Sequence, residues 1–431
     1  MSRIERREFL KTSTVTAAAL GVSAFGARRV LGANDRLRCG VAGLRGRGRN
    51  HIAGIGQLPD CEVVALCDAD ESEIGKRAEE FAKRGQSNVS GYIDVRYLLD
   101  DESIDVLGVA TPNHWHALMG IWACQAGKDL YIEKPCSHNV FEGRKLVEAA
   151  RKYGRVVQHG TQIRSSAAIR EAIEKLHGGV IGDVYMARGL CYRWRASIGK
   201  KPESSPPAGV NYDLWLGPAP EREFSENRFH YNWHWHWDYG NGDLGNQGVH
   251  QIDLARWGLG VGLPKRVNGS GGHFLFEDDQ ETPNVLVSTF EYPDEKKFLS
   301  FEVRPWMTND EGGAQVGVIF YGSEGYMVIP TYSKYETFLG QKKERGPRGN
   351  AGGNHYENFV NAVRAKDPSR LTAEIEEGHL SSSLCHLGNI SYRLGRRLDF
   401  DPGAETFGND AEANALLTRE YRKPYVVGDA V

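Results

Sequence analysis

Over the first third of the chain, short apolar runs alternate with segments of helical period. Arg38-Cys39-Gly40-Val41-Ala42 reads as a strand, followed by a glycine-rich turn and a helix to about Leu58. Glu62-Val63-Val64-Ala65-Leu66-Cys67-Asp68 is a second buried strand, ending in an acid. The alternation continues with helices near 71–84, 114–126 and 141–153 and strands at 106–110, 129–132 and 156–159. Repeated strand–helix units predict right-handed crossovers and an α/β, doubly wound parallel sheet, with its ligand along the C-terminal strand ends. Beyond it, strand-like runs near 180–193, 285–292, 298–303, 316–321 and 326–329 predict an antiparallel sheet, with helices at 355–365 and 373–396. Such a sheet covers only one face with helices, and its open face is a candidate homo-oligomer interface, dimer or tetramer. The Lys/Arg/Gly-rich stretch 332–353 reads as a mobile flap or a partner arm, and the tail after Asp399 carries no legible motif.

At 431 residues the chain exceeds what one core usually serves. The expected division is 1–33, a Rossmann-type domain at 34–160, a substrate and oligomerisation domain at 161–398 and a tail at 399–431. The formal charge of −3, with no long basic block, argues against nucleic acid as a partner. Seven cysteines without a Cys-x-x-Cys pair suggest neither a zinc site nor a disulfide scaffold, and read as buried apolar residues. Arg6-Arg7-Glu8-Phe9-Leu10-Lys11 precedes an uncharged, alanine-rich stretch too short and too polar to span a bilayer. This resembles a twin-arginine export signal and predicts an exported, periplasmic protein without a membrane anchor.

The turn Gly43-Leu44-Arg45-Gly46-Arg47-Gly48 lies between strand and helix, where backbone N–H groups and the helix dipole hold a pyrophosphate. Arg45 stands where G-x-G-x-x-G has its second glycine. Asp68 lies at about the ~20-residue separation of a ribose-binding carboxylate and favours NAD over NADP. Two further junctions fall at strand ends, Thr111-Pro112-Asn113-His114-Trp115-His116 and Glu133-Lys134-Pro135. With Gln162 they complete the expected NAD site: Gly43, Arg45, Gly46, Arg47, Gly48, Asp68, Thr111, Asn113, His116, Glu133 and Lys134.

These motifs, followed by Gly242-Asp243-Leu244-Gly245-Asn246-Gln247-Gly248-Val249-His250-Gln251-Ile252-Asp253, together resemble the glucose-fructose oxidoreductase/inositol dehydrogenase (Gfo/Idh/MocA) family. The resemblance implies a Rossmann domain followed by an α/β domain with a large open, mainly antiparallel sheet, and hydride transfer between a nicotinamide cofactor and a carbohydrate carbon. It places Lys134 as the active-site lysine, His250 as the catalytic histidine, and Asn246 where an aspartate more often stands. The segment 243–257 reads as a helix in which Asn246, His250 and Asp253 share one face, so that Asp253 could orient the His250 imidazole.

Tyr231-Asn232-Trp233-His234-Trp235-His236-Trp237-Asp238-Tyr239 interleaves aromatic and polar residues. Read as a strand, it puts the tryptophans on one side and the histidines on the other, as a carbohydrate-binding lip or, less economically, a metal site. Tyr192, Trp194, Tyr231, His234, His236, Asn246 and His250 are the expected substrate contacts, and no metal is assigned. Three activities fit: sugar oxidoreduction with bound, internally recycled NAD(H), NAD-dependent glycoside hydrolysis through oxidation at C3 and elimination, and carbohydrate binding without catalysis.

Overall fold

The computed structural model describes residues 36–431, so the twin-arginine pattern lies outside the described residues. The amino-terminal half runs β1 (Leu37–Ala42), α1 (Gly46–Gly56), β2 (Cys61–Cys67), α2 (Glu71–Lys83), β3 (Ser90–Tyr92), α3 (Val95–Leu99), β4 (Val106–Val109), α4 (Asn113–Gln125), β5 (Asp129–Ile132), α5 (Val140–Lys152) and β6 (Val157–His159). Its six strands are all parallel, in the order β3-β2-β1-β4-β5-β6. Both faces are covered by helices, which is why β4 and β5 are buried throughout and are apolar apart from Asp129, which opens β5. Side-chain caps from Asp70, Asp94 and Asn139 start α2, α3 and α5. The strand order reverses between β1 and β4, opening a crevice at their C-terminal ends.

The second half contains α6 (Ala167–His177), β7 (Val184–Cys191), α7 (Tyr212–Leu216), α8 (Val249–Leu259), β8 (Arg266–Gly272), β9 (Val285–Tyr292), β10 (Lys297–Val303), β11 (Val316–Gly322), β12 (Gly325–Thr331), β13 (Lys334–Leu339), β14 (Glu344–Asn350), α9 (His355–Ala365), α10 (Ile375–Leu394), β15 (Leu398–Asp399) and α11 (Ala411–Ala415). Nine strands form one sheet in the order β14-β13-β12-β11-β7-β10-β9-β8-β15, antiparallel except between β7 and β10. Along β9 the inward residues Leu286, Ser288, Phe290 and Tyr292 are buried while Val287 is exposed, the alternation of a sheet with one covered face. Residues from α6, α8 and α10 supply the other side of that core. The opposite face carries Arg188, Arg304, Glu302, Glu311 and Tyr192 in one network of ion pairs and hydrogen bonds.

Two expectations need correction. Residues 332–353 are not a loose flap: β13 and β14 extend the sheet edge as a hairpin, and Tyr335 is fully buried against α6, donating to Glu171 at 2.9 Å. The tail is also built in. Phe400, Phe407 and Leu417 join the core beneath the second sheet, while Tyr425 and Val427 join a core of the parallel half, with Tyr425 edge-on to Trp115. All seven cysteines are buried and unpaired. No described helix is long and apolar enough to cross a membrane.

Candidate active site

The glycine turn explains its own composition. A Cβ on Gly48 would lie 1.7 Å from the Gly43 carbonyl oxygen, and one on Gly43, at φ +81°, 2.5 Å from that of Ala110. Arg45 adopts an ordinary extended conformation (φ −85°) before α1, so the departure from glycine there costs the backbone nothing. No side chain caps α1, leaving the helix N-terminus available to an anion. Asp68, just past β2, accepts from the N–H groups of Leu44 (2.8 Å) and Asp70 (3.1 Å), while burial pushes its carboxyl up to about 6. The turn, the bare helix end and this carboxylate fit a dinucleotide.

At the next strand ends, Glu133 accepts from Arg47 (2.8 and 2.9 Å), bonds His51 at 3.1 Å and accepts from Gln162 at 3.3 Å. Burial alone would raise its carboxyl, but Arg47, His51 and Lys134 hold it well below the usual range. His116 lines the cavity, yet its ring lies between main-chain carbonyls, Thr111 at 2.7 Å and Pro135 at 2.6 Å. It staples the two junctions together rather than offering both nitrogens to a ligand. Asn113 spends its amide on Asn241 at 2.9 Å, and Thr111 lies against Met119 on the same wall.

Lys134 points its ammonium at Asn246, 2.5 Å from the carbonyl oxygen and 3.3 Å from the side-chain Oδ1. That carbonyl belongs to a π-helical turn, Leu244–Gly248, which precedes α8. The straight helix expected over 243–257 is thus interrupted, and the wider turn delivers a main-chain acceptor to the lysine. Burial lowers the Lys134 ammonium to about 8; Glu133 and Asp243 oppose this, and Arg47 and Arg195 add to it. His250 is buried beside Tyr332 (ring centroids 5.1 Å), and burial with the nearby Lys134 charge keeps it neutral. Asp253 does not orient it: that carboxylate takes a two-point bond from Arg164 (2.8 and 2.9 Å) and the Ser381 hydroxyl at 2.7 Å. His250 Nδ1 has no hydrogen-bond partner among the described residues.

The aromatic stretch is not a strand. Residues His230–Trp235 form a 3₁₀ turn, whose three-residue period breaks the expected two-sided alternation. Tyr231, Trp233 and His234 line the cavity, whereas His236 is buried, bonded to the Asn227 carbonyl at 2.8 Å. Tyr192 faces the outer side of the sheet, and Trp194 stacks on Trp306 at 3.9 Å, so neither lines the cavity. The strand-like alternation after β7 sends their neighbours Arg193 and Arg195 inward instead. Sequence reasoning missed both arginines, along with Gln247 and Tyr332, whereas His230, which the sequence offers among residues suited to proton transfer, does line the cavity; the signal for the arginines was the strand-like alternation that continues past β7.

The stretch around 209–234 straps across the crevice. Glu71 N donates to Gly209 O (3.0 Å), Asn211 N to Ala69 O (2.8 Å), and Trp115 Nε1 to Leu214 O (3.0 Å), pinning the strap on both banks. Arg45 meets His230 Nε2 at 3.0 Å and Glu73 at 3.6 Å, closing a clasp over the glycine turn. His230 holds φ +49°, unusual for a residue with a side chain. The resulting cavity, about 770 Å³, runs from Asp68 beneath Trp215 and Phe229 to Lys134, His250 and Tyr332.

Residues 37–161 match the family model described as oxidoreductase family, NAD-binding Rossmann fold, and residues 174–268 and 339–427 match the oxidoreductase family, C-terminal alpha/beta domain. A D-glucoside 3-dehydrogenase of Escherichia coli (strain K12) is 26% identical over 209 residues, 48% of this chain and 50% of that protein. A glycosyl hydrolase family 109 protein of Shewanella baltica (strain OS185) is 27% identical over 174 residues, 35% and 38% respectively. The chain thus spans half or less of the length of these curated relatives. Among solved structures, a levoglucosan dehydrogenase in complex with NADH and L-sorbose superposes with TM-score 0.65 at 18% identity, covering 85% of this chain and 99% of that one. The WlbA dehydrogenase of Bordetella pertussis, with NADH and UDP-GlcNAcA, gives 0.64 at 20%, with 85% and 99% covered. At these identities the likeness is one of fold.

Proposed function

The chain belongs to the Gfo/Idh/MocA oxidoreductase family and carries its NAD-binding Rossmann domain, and on that premise we propose that it acts on a sugar or glycoside with tightly held, internally recycled NAD(H). The observation that carries this reading is the meeting of Lys134, Asn246 and His250 at one end of the cavity that begins at Asp68. Bound NAD supplies the hydride acceptor. Gly43, Gly48, Asp68, Arg45, Arg47 and Glu133 hold and orient it, with the strap excluding water. As hydride leaves a ring carbon, the hydroxyl on that carbon must lose its proton, and Lys134, tuned to about 8, can take it and return it. His250 stays neutral and offers a hydrogen bond to the same oxygen or its neighbour. Asn246 fixes the lysine and can hold a second hydroxyl.

The strap and the Arg45–His230 clasp support retention of the cofactor through turnover. A retained cofactor must give its hydride back, either to a second keto-sugar or to the same ring after elimination. The partial similarity to a family 109 glycosyl hydrolase favours the second route as the alternative, while the similarity to a D-glucoside 3-dehydrogenase favours oxidation at C3 in either case. Aryl glycosides incubated with the purified protein, without added NAD, separate them. Aglycone release with deuterium uptake at C2 identifies the glycosidase. A bound-NADH absorbance rise discharged by a keto-sugar identifies oxidoreduction. Binding with no absorbance change identifies a non-catalytic carbohydrate binder.

Export through the twin-arginine route belongs to the same proposal, resting on Arg6, Arg7, Phe9, Leu10 and Lys11. Replacing Arg6 and Arg7 by lysine should hold a fused reporter in the cytoplasm. Association through the open sheet face is proposed too, and light scattering of a Val287→Asp variant tests it.

A further inference from the structure

At the sugar end of the cavity the charges do not balance. Arg195 is matched, with a two-point bond to Asp243 (2.8 and 3.1 Å) and another to the Tyr231 hydroxyl at 2.9 Å. Toward the cofactor end, Arg47 is likewise matched by Glu133, and Arg45 by Glu73. Arg193, on the same wall as Arg195, has no acidic partner among the described residues. It is nevertheless held in place. Its Nη1 donates to Gln247 Oε1 at 3.2 Å, and the buried Gln247 donates in turn to the Tyr332 hydroxyl (3.0 Å) and to Gln251 Oε1 (3.3 Å). Although Arg193 is exposed, its anchor Gln247 is buried and also holds Tyr332, whose ring lies beside His250. With Nη1 occupied, the Nε and Nη2 edge remains, two parallel N–H donors in one plane, the geometry that receives a carboxylate at two points.

We infer that Arg193, anchored by Gln247, is a subsite for an anionic group carried by the sugar, a ring carboxylate as in a hexuronic acid, so that the substrate is an acidic glycoside. The inference rests on the sugar-directed reading above but concerns a residue outside the proton-transfer set. Placed there, the anion supplies the missing charge and forms hydrogen bonds stronger than those of a neutral hydroxyl.

The test compares matched 4-nitrophenyl glycosides, a β-D-glucoside, its glucuronide and its 6-sulfate, on the holoenzyme as purified, by turnover and by calorimetric binding. The expected result is a glucuronide kcat/KM about 10- to 100-fold above that of the glucoside, as for hydrogen bonds to a charged group. Arg193→Gln should bring that ratio close to one, and Arg193→Lys should keep only part of it, because the charge survives while the fork is lost. A preference for the 6-sulfate overturns the carboxylate assignment in favour of a sulfate ester. Equal handling of acidic and neutral glycosides overturns the inference, as does a preference unaltered in an Arg193→Gln protein of unchanged melting temperature, or no binding of either. Preferential uronide binding without turnover supports the subsite while refuting the oxidoreductase reading. Turnover of neutral glycosides with no acidic preference does the reverse.

Discussion

The two ends of the cavity are made in different ways. The cofactor end is assembled from consecutive residues at the C-terminal ends of neighbouring parallel strands, and backbone shape does most of the work, as the 1.7 Å approach that excludes a Cβ at Gly48 shows. The end at Lys134 and His250 is assembled from a π-turn, the segment after β7, the strap and the turn after β12, and it is lined by side-chain charge and hydrogen-bonding groups. A main-chain site tolerates one odd residue, such as Arg45, wherever the conformation is ordinary. A side-chain site has no such local rule, because each of its members is positioned by partners distant in the chain.

The largest effect should come from the residue where the two ends meet. Lys134→Ala is expected to lower kcat by about 10²–10⁴, the usual cost of losing a proton-transfer group, measured on whichever glycoside proves active. In the unaltered protein kcat/KM for oxidation should rise as pH increases through about 8, because the lysine must shed its proton to act as a base. That inflection should vanish in the variant, and near-native turnover in Lys134→Ala would remove it from the mechanism.

Next comes Asp253, which sequence spacing assigns to chemistry and structure assigns to support. Asp253→Asn should cost stability, about 3 kcal/mol, the low end for breaking a buried ion pair, since Arg164 retains Glu377 at 3.0 Å. Chemical denaturation measures this, and the folded fraction should keep its pH profile. The carboxyl is held below its ordinary value, so its contribution is present above ~4 and is lost as pH falls through the folded-state pKa. A tautomer-fixing role would instead alter the pH profile with little change in stability.

Gly48→Ala probes the cofactor end alone. The added methyl must displace the turn, costing about 1–3 kcal/mol and stripping NAD from the purified protein, read by the absorbance of a denatured supernatant. Smaller still is the response of Asp68 to acid. Its carboxyl, raised to about 6, takes up a proton below that pH and loses acceptor capacity toward the ribose, so NAD should be held more weakly at pH 5 than at pH 7, by at most about tenfold per pH unit. Asp68→Ala should abolish this dependence and weaken NAD more than NADP. The gentlest change is His230→Ala, which opens the clasp to Arg45 and should speed NAD release only a few-fold, on the scale of a single ~1 kcal/mol hydrogen bond.

What the sequence determined by itself was whatever depends on local pattern. The short apolar runs of β4 and β5, the acid after β2 and the glycines at 43 and 48 declared a parallel sheet with a dinucleotide turn, because strand burial and turn conformation are written in adjacent residues. The strand-like runs at 285–292 and 298–303 likewise declared a second, mainly antiparallel sheet. Tertiary structure decided the direction of side chains wherever the local period changed. A π-turn moved the Asn246 carbonyl onto Lys134, a 3₁₀ turn split the tryptophan and histidine stretch between cavity and core, and Arg164 and Ser381 claimed Asp253 from segments 89 and 128 residues away. Those outcomes follow from which partner can satisfy a buried charge or carbonyl, and that partner is known only once distant parts of the chain are packed together.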